Sequence, residues 1–228
     1  MISKMVALDW RAMKYNWSGV LLIPLMSLLA SLFSPLFVIP ITIFWFQGFS
    51  QSTFSAEEKG ELNYLYLAMP IRRVDVVRGR FALSFVLMLV GLAVGTAMLS
   101  VVNFLSNIGI VFFGRAVLYF SQYIALFAIG FLIYAFASLF SFPFLFKFGY
   151  EKGKYYGTYI PIIFVFALLI VHDVIMWQFS LQTSVINLVM GFISGNLFIM
   201  AGGFFILSIA LLLLSYLLSV RIYNKRDF

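Results

Sequence analysis

Apolar runs long enough to cross a bilayer recur from one end of this chain to the other. About 18–20 apolar residues span ~30 Å of hydrocarbon as a helix. Runs of this kind lie near residues 18–33, 36–54, 81–102, 117–143, 158–177 and 197–220. Inside hydrocarbon the backbone has no water to bond, so each run must satisfy its own amides as a helix. Composition agrees: 64% of residues are hydrophobic and 10% are charged, against about 25% charged in an ordinary soluble domain. The expected fold is all-α, a single polytopic domain over 1–228 with six transmembrane helices. A cleavable signal segment is not expected, because its apolar core would be shorter and followed by a small-residue cleavage site.

The basic residues fix an orientation. Lys4, Arg11 and Lys14 precede the first run, and Lys59, Arg72, Arg73, Arg78 and Arg80 separate the second from the third. Lys147, Lys152 and Lys154 separate the fourth from the fifth, and Arg221, Lys225 and Arg226 follow the sixth. In a six-span arrangement all fourteen lie on one side, and Arg115 alone lies on the other. Lysine and arginine mark cytoplasmic loops, so both termini are expected in the cytoplasm. The same anchors account for the net charge of +7, and no nucleic-acid partner is implied.

The segments between spans carry further expectations. On a helical wheel Lys4, Arg11 and Lys14 share one face, and Ile2, Met5, Val6 and Met13 share the opposite one. Residues 1–17 therefore read as an amphipathic helix on the inner leaflet, with Asp9 on its apolar face. Pro143 is expected to break or kink the fourth span, and Gly149, Gly153 and Gly157 to allow a compact second cytoplasmic loop over 144–157. The uncharged segment 178–196 is expected on the outer face, as an interfacial or re-entrant element.

Little in the chain supports catalysis. There is no Cys and a single His, His172, followed by Asp173, so no thiol chemistry or metal site can be assembled. Glu57-Glu58 is similar to the start of the EExxxR motif of intramembrane CAAX-type proteases, but Leu62 stands where that motif needs Arg. Gly191–Gly195 only approximates the GxSG of rhomboid proteases. No GxxxxGK[ST] loop is present, so the chain does not itself cradle ATP through a P-loop. Ionisable groups are scarce within the spans, which disfavours an ion-coupled transporter. Gly91 and Gly95 form a GxxxG suited to close helix packing, including packing between two subunits.

The informative stretch is EEKGELNYLYLAMPIRRVDVVRGR, Glu57 to Arg80, which holds nine of the twenty-three charged residues. Leu62, Leu65, Tyr66 and Met69 follow i, i+3, i+4, i+7 spacing, so a short helix with one apolar stripe precedes Pro70. Pro70 stops it. A second helix, with Asp75 in its first turn, leads into the third span. The result is a helix–break–helix elbow over 55–80. Its acidic end is Glu57, Glu58 and Glu61, and its basic end includes Arg72, Arg73, Arg78 and Arg80. An apolar stripe flanked by charge suits docking to a cytoplasmic protein. An ordinary amphipathic connector is the plainer alternative.

Three segments together resemble the small permease subunits of ABC-2 type exporters: LDWRAMK near the N-terminus, the elbow with its LAMPIRR core, and FPFLFKFGYEKGKYY in the second loop. The elbow departs from that pattern in its longer acidic start, Glu-Glu-Lys-Gly-Glu. The resemblance implies a permease that pairs with a second copy or a paralogue in the bacterial cell membrane. It also implies separate ATPase subunits, carrying ATP and Mg, that dock on the elbow. Glu57, Glu58, Glu61, Leu62, Leu65, Tyr66, Met69, Arg72 and Arg73 would then contact the ATPase, with Pro70 holding the angle. Lys147, Lys152 and Lys154 would make a secondary cytoplasmic contact or anchor anionic membrane lipids. This chain would bind no cofactor. Relatives that export phenol-soluble modulins and other antimicrobial peptides point to amphipathic peptides as cargo. A membrane scaffold or sensor recruiting a cytoplasmic partner through the same elbow is the competing reading.

Overall fold

A computed structural model describes residues 6–7, 9–11, 18–31, 38–59, 72–108, 120–161, 163 and 196–225. The described residues are helical and contain no strand. The helices are α1 (Ser18–Ser31), α2 (Val38–Ser50), α3 (Ser52–Lys59), α4 (Arg73–Asn107), α5 (Phe120–Lys154) and α6 (Leu197–Asn224), with a π-helical turn at Tyr155–Tyr159. Among the described residues three helices are long and apolar enough to cross a membrane, beginning at Arg73, Tyr123 and Leu197. Glu61, Leu62, Leu65, Tyr66, Met69 and Pro70 of the elbow lie outside the described residues. So do Arg115, His172, Asp173, most of the fifth apolar run and nearly all of 178–196.

Helix α4 has 35 residues, or about 50 Å at 1.5 Å per residue. That exceeds the ~30 Å of hydrocarbon, so the Arg73–Arg80 turns extend past the apolar run. Asp75 lies in the first turn, where a carboxylate favours the helix dipole, and the Asp75 N–H donates to the Arg72 carbonyl at 2.8 Å.

The core has three zones. Ile23, Phe46, Leu83 and Leu87 join α1, α2 and α4, and the partly buried Val6 packs against them. Val38, Ile39, Ile43, Met88, Leu99, Leu126 and Tyr134 join α2, α4 and α5. Phe54, Val76, Val77, Phe142, Leu145, Phe146 and Tyr223 close the charged end. Near the N-terminus Asp9 is buried, whereas Trp10 is exposed. The face carrying Val6 and Asp9 therefore meets the bundle.

Polar side chains pin these helices in register. Gln47 donates to Ser138 Oγ and Gln51 to Ser141 Oγ, both at 3.2 Å. The Tyr134 hydroxyl donates to Ser84 Oγ at 3.1 Å, and Ser215 donates to the Ser138 carbonyl at 2.8 Å. Ala201, Ser208, Ser215 and Ser219 are buried along α6. Small side chains let α6 approach α5, and the Ser215 hydroxyl adds a bond that apolar packing in lipid lacks.

The fourth span departs from expectation. Helix α5 runs through Pro143 rather than ending there, and its backbone leaves helical geometry at Gly149, at φ 76° and ψ −173°. That conformation is essentially restricted to glycine. The chain then reverses. A Cβ on Gly153 would lie 2.9 Å from the Leu145 Cα, and one on Gly157 would lie 2.9 Å from the Ser141 Cα. Ser141 Oγ donates to the Gly157 carbonyl at 2.8 Å. Residues 144–157 are helical on both sides of Gly149. They make the tip of an antiparallel helical hairpin, turned at Gly149 and closed by two glycines four residues apart on the returning arm. Backbone-to-backbone packing outweighs the weak local helix propensity of these glycines.

Candidate functional site

The elements flanking residues 60–71 meet at the charged end of the bundle. A turn at Gln51 separates α3 from α2, with the Gln51 N–H bonded to the Gly48 carbonyl at 3.1 Å and the Phe54 N–H to the Gln51 carbonyl at 3.0 Å. Phe54 and Glu57 are both buried and, three residues apart, share a face of α3. Glu57 Oε2 forms an ion pair with Arg80 Nη2, and both side chains are almost wholly buried. The Arg80 guanidinium lies 4.0 Å from the Phe54 ring centroid and 5.5 Å from that of Phe146. Helices α3 and α4, on either side of residues 60–71, are therefore clasped together, with the cation held over an aromatic face.

Glu58 makes the second attachment. Its Oε2 accepts the N–H of Tyr150 at 2.9 Å and that of Glu151 at 3.0 Å. These amides open the returning arm, because Gly149 has interrupted the helix ahead of them. A carboxylate there satisfies orphan donors and complements the positive end of the helix dipole. Glu58 is thus a helix cap supplied from a segment more than ninety residues away. Consecutive glutamates of α3 grip two different elements: Glu57 the start of α4, Glu58 the tip of the hairpin. Phe54, Glu57, Glu58, Arg80 and Tyr150 line a small cavity at this junction.

The remaining basic residues tie α4 to α6. Arg73 Nη1 donates to the carbonyl of Asn224, the last residue of α6, at 3.2 Å, where a cation favours the helix C-terminus. Arg78 Nε donates to the Tyr216 hydroxyl at 3.0 Å, and its Nη1 lies 3.7 Å from Asp75 Oδ1. Arg72 is exposed. Lys147 and Lys152 are exposed on the hairpin tip and Lys154 is partly buried. Gly91 and Gly95 lie elsewhere, along the middle of α4. A Cβ on Gly91 would sit 3.0 Å from the Phe46 side chain, and one on Gly95 3.2 Å from the Ile39 Cα. The close packing these glycines allow here is with α2 of the same chain.

Comparison with known proteins identifies the family. The description "ABC-2 family transporter protein" covers residues 4–224. The chain belongs to the ABC-2 transporter family. It is therefore the membrane-embedded permease subunit of an ABC exporter, a multi-pass protein of the bacterial plasma membrane that works with an ABC ATPase. No curated protein and no solved structure matches the chain significantly.

Within this ABC-2 permease, the sequence pointed to Glu57, Glu58, Arg72 and Arg73 but not to what they hold. Phe54, Arg80, Gly149 and Tyr150 complete the junction. The four-residue spacing of Gly149, Gly153 and Gly157 was the one available signal, since such spacing aligns small residues on one helix face. Among the described residues no three His, Cys, Asp or Glu are grouped to hold a metal. The arrangement joins the segments on either side of residues 60–71 to the helices around them.

Proposed function

We propose that this permease exports amphipathic peptides of the antimicrobial or cytolytic kind, driven by ATP hydrolysed on separate subunits docked on the loop between spans two and three. In this reading the chain crosses the membrane six times, with both termini in the cytoplasm and a second permease copy or paralogue beside it. The observation that carries it is the double attachment of α3. The elbow is closed at its base by Glu57 and Arg80, and Glu58 links it to the hairpin tip. A force applied to residues 60–71 would reach α4 through one glutamate and α5 through the next. The clustering of charge at that end supports a cytoplasmic location, because lysine and arginine favour that side.

Co-purification tests the docking. A Leu65→Asp, Met69→Asp variant should lose its ATPase partner, and unchanged association with unchanged ATPase stimulation would refute the docking surface. Deletion of the permease should sensitise cells to amphipathic peptides, with rescue by the permease and its ATPase together. Unaltered sensitivity and efflux would remove peptides as the cargo.

A further inference from the structure

The hairpin tip carries a surface that the ion pair and the helix cap do not use. Phe144 and Phe148 of the descending arm and Tyr156 of the returning arm form a triangle of rings. Their centroids lie 6.1 Å apart for the two phenylalanines, 5.6 Å for Phe144 and Tyr156, and 5.9 Å for Phe148 and Tyr156. Tyr155 and Tyr159 stack at 5.9 Å beside them. Phe148, Tyr155, Tyr156 and Tyr159 are all exposed, as is Ile163 one helical turn beyond Tyr159. Lys147 Nζ lies 4.9 Å from the Phe148 ring centroid, and Lys154 Nζ lies between Tyr150 and Tyr155 at 5.3 and 5.2 Å. Among the described residues no carboxylate stands within 4.0 Å of Lys147, Lys152 or Lys154. Glu151 is exposed on the same tip, and Glu58 is turned to backbone amides. Two exposed lysines and a partly buried third therefore stand on the tip with one exposed carboxylate among them.

Depth chooses the partner. At 1.5 Å per residue, Phe144 and Tyr156 lie about 7–10 Å from the turn and Tyr159 about 15 Å. Rings and lysines over that interval match the headgroup zone, where amphipathic aromatics collect and lysines reach phosphate. A soluble ATPase would meet the tip but not a stripe that runs on to Tyr159 and Ile163.

We propose that this flank of the hairpin binds an anionic phospholipid of the inner leaflet. Lys147, Lys152 and Lys154 pair with its phosphate, and the Phe144–Phe148–Tyr156 triangle lies against the glycerol and upper acyl chain. The assignment to the inner leaflet rests on the cytoplasmic orientation in the proposed function; the lipid contact itself does not rest on the cargo or the ATPase.

The test uses the full chain, purified alone and examined by native mass spectrometry with added phosphatidylglycerol or phosphatidylcholine. Phosphatidylglycerol should be retained preferentially. A Lys147→Gln, Lys152→Gln, Lys154→Gln variant should lose that preference by about fivefold per lysine. The corresponding triple Lys→Arg variant should keep it, and unchanged thermal stability of both variants will show that the fold survives. Equal retention of the two lipids overturns the proposal, as does a Gln variant that binds phosphatidylglycerol like the parent. A Gln variant that keeps the lipid but loses its ATPase partner also overturns it, and makes the tip a protein contact. Labelling of a Lys152→Cys variant from outside intact cells would overturn the inner-leaflet assignment and the six-span orientation together, even with lipid preference intact. Unaltered peptide efflux on deletion of the permease, with lipid preference intact, would strike the cargo reading and leave the lipid site standing.

Discussion

Replacing Arg80 with Met isolates the energetics of the clasp. The Glu57 residue is 8% exposed and Arg80 3%, so the substitution strands a carboxylate in a site that water barely reaches. Removing one partner of a buried pair costs about 3–5 kcal/mol, whereas replacing both with apolar residues of similar volume is often neutral or stabilising. The contact of Arg80 with Phe54 contributes about 0.5–2 kcal/mol more in a desolvated setting, and a Met side chain retains part of it as packing. Arg80→Met and Glu57→Leu should therefore each destabilise the protein by about 3–5 kcal/mol. The double variant should return to within about 2 kcal/mol of the parent. Unfolding of the purified permease in detergent, followed by fluorescence of its four tryptophans, measures all three variants in one cycle. Single substitutions that each cost less than about 1 kcal/mol, the range of exposed pairs, and that add in the double variant would refute the reasoning. The pair would then behave as a solvated surface contact.

Two further predictions concern the hairpin. Gly149→Ala should destabilise by about 1–3 kcal/mol through backbone strain, and Gly153→Ala or Gly157→Ala by about 1–3 kcal/mol through overpacking against Leu145 or Ser141; the same unfolding assay reads each. Glu58→Ala should cost about 1 kcal/mol, as loss of a helix cap does, and should speed hydrogen exchange at the amides of Tyr150 and Glu151. Glu58→Gln should restore part of that protection, and unchanged exchange in the Ala variant would dismiss the cap.

The long apolar helices were plain in the sequence because each carries its own signal. The run at 81–102 lies inside α4, and that at 197–220 lies inside α6. The helical start at Asp75 was legible too, through a local preference of carboxylates for a first turn. The junction was not. Glu57 and Arg80 are 23 residues apart, and linear pattern assigns such charges to solvent because ion pairs leave no period. The hairpin was obscured for a related reason. Glycine argues locally against helix, and only the neighbours at Ser141 and Leu145 turn its missing side chain into an advantage. Gly91 and Gly95 announced a close approach, but the identity of the facing helix is a tertiary fact.

The turn at Gly149 also sets what the chain can tolerate in its length. Ser141 faces Gly157 and Leu145 faces Gly153, so both contacts are symmetric about residue 149. One residue inserted at the tip would rotate the returning arm by about 100°, at 3.6 residues per turn. Both glycines would swing away, and bulkier side chains would arrive where only a bare backbone fits. Connections on a protein surface usually absorb insertions; this one behaves like the pitch of a screw thread, in which length and fit are a single variable.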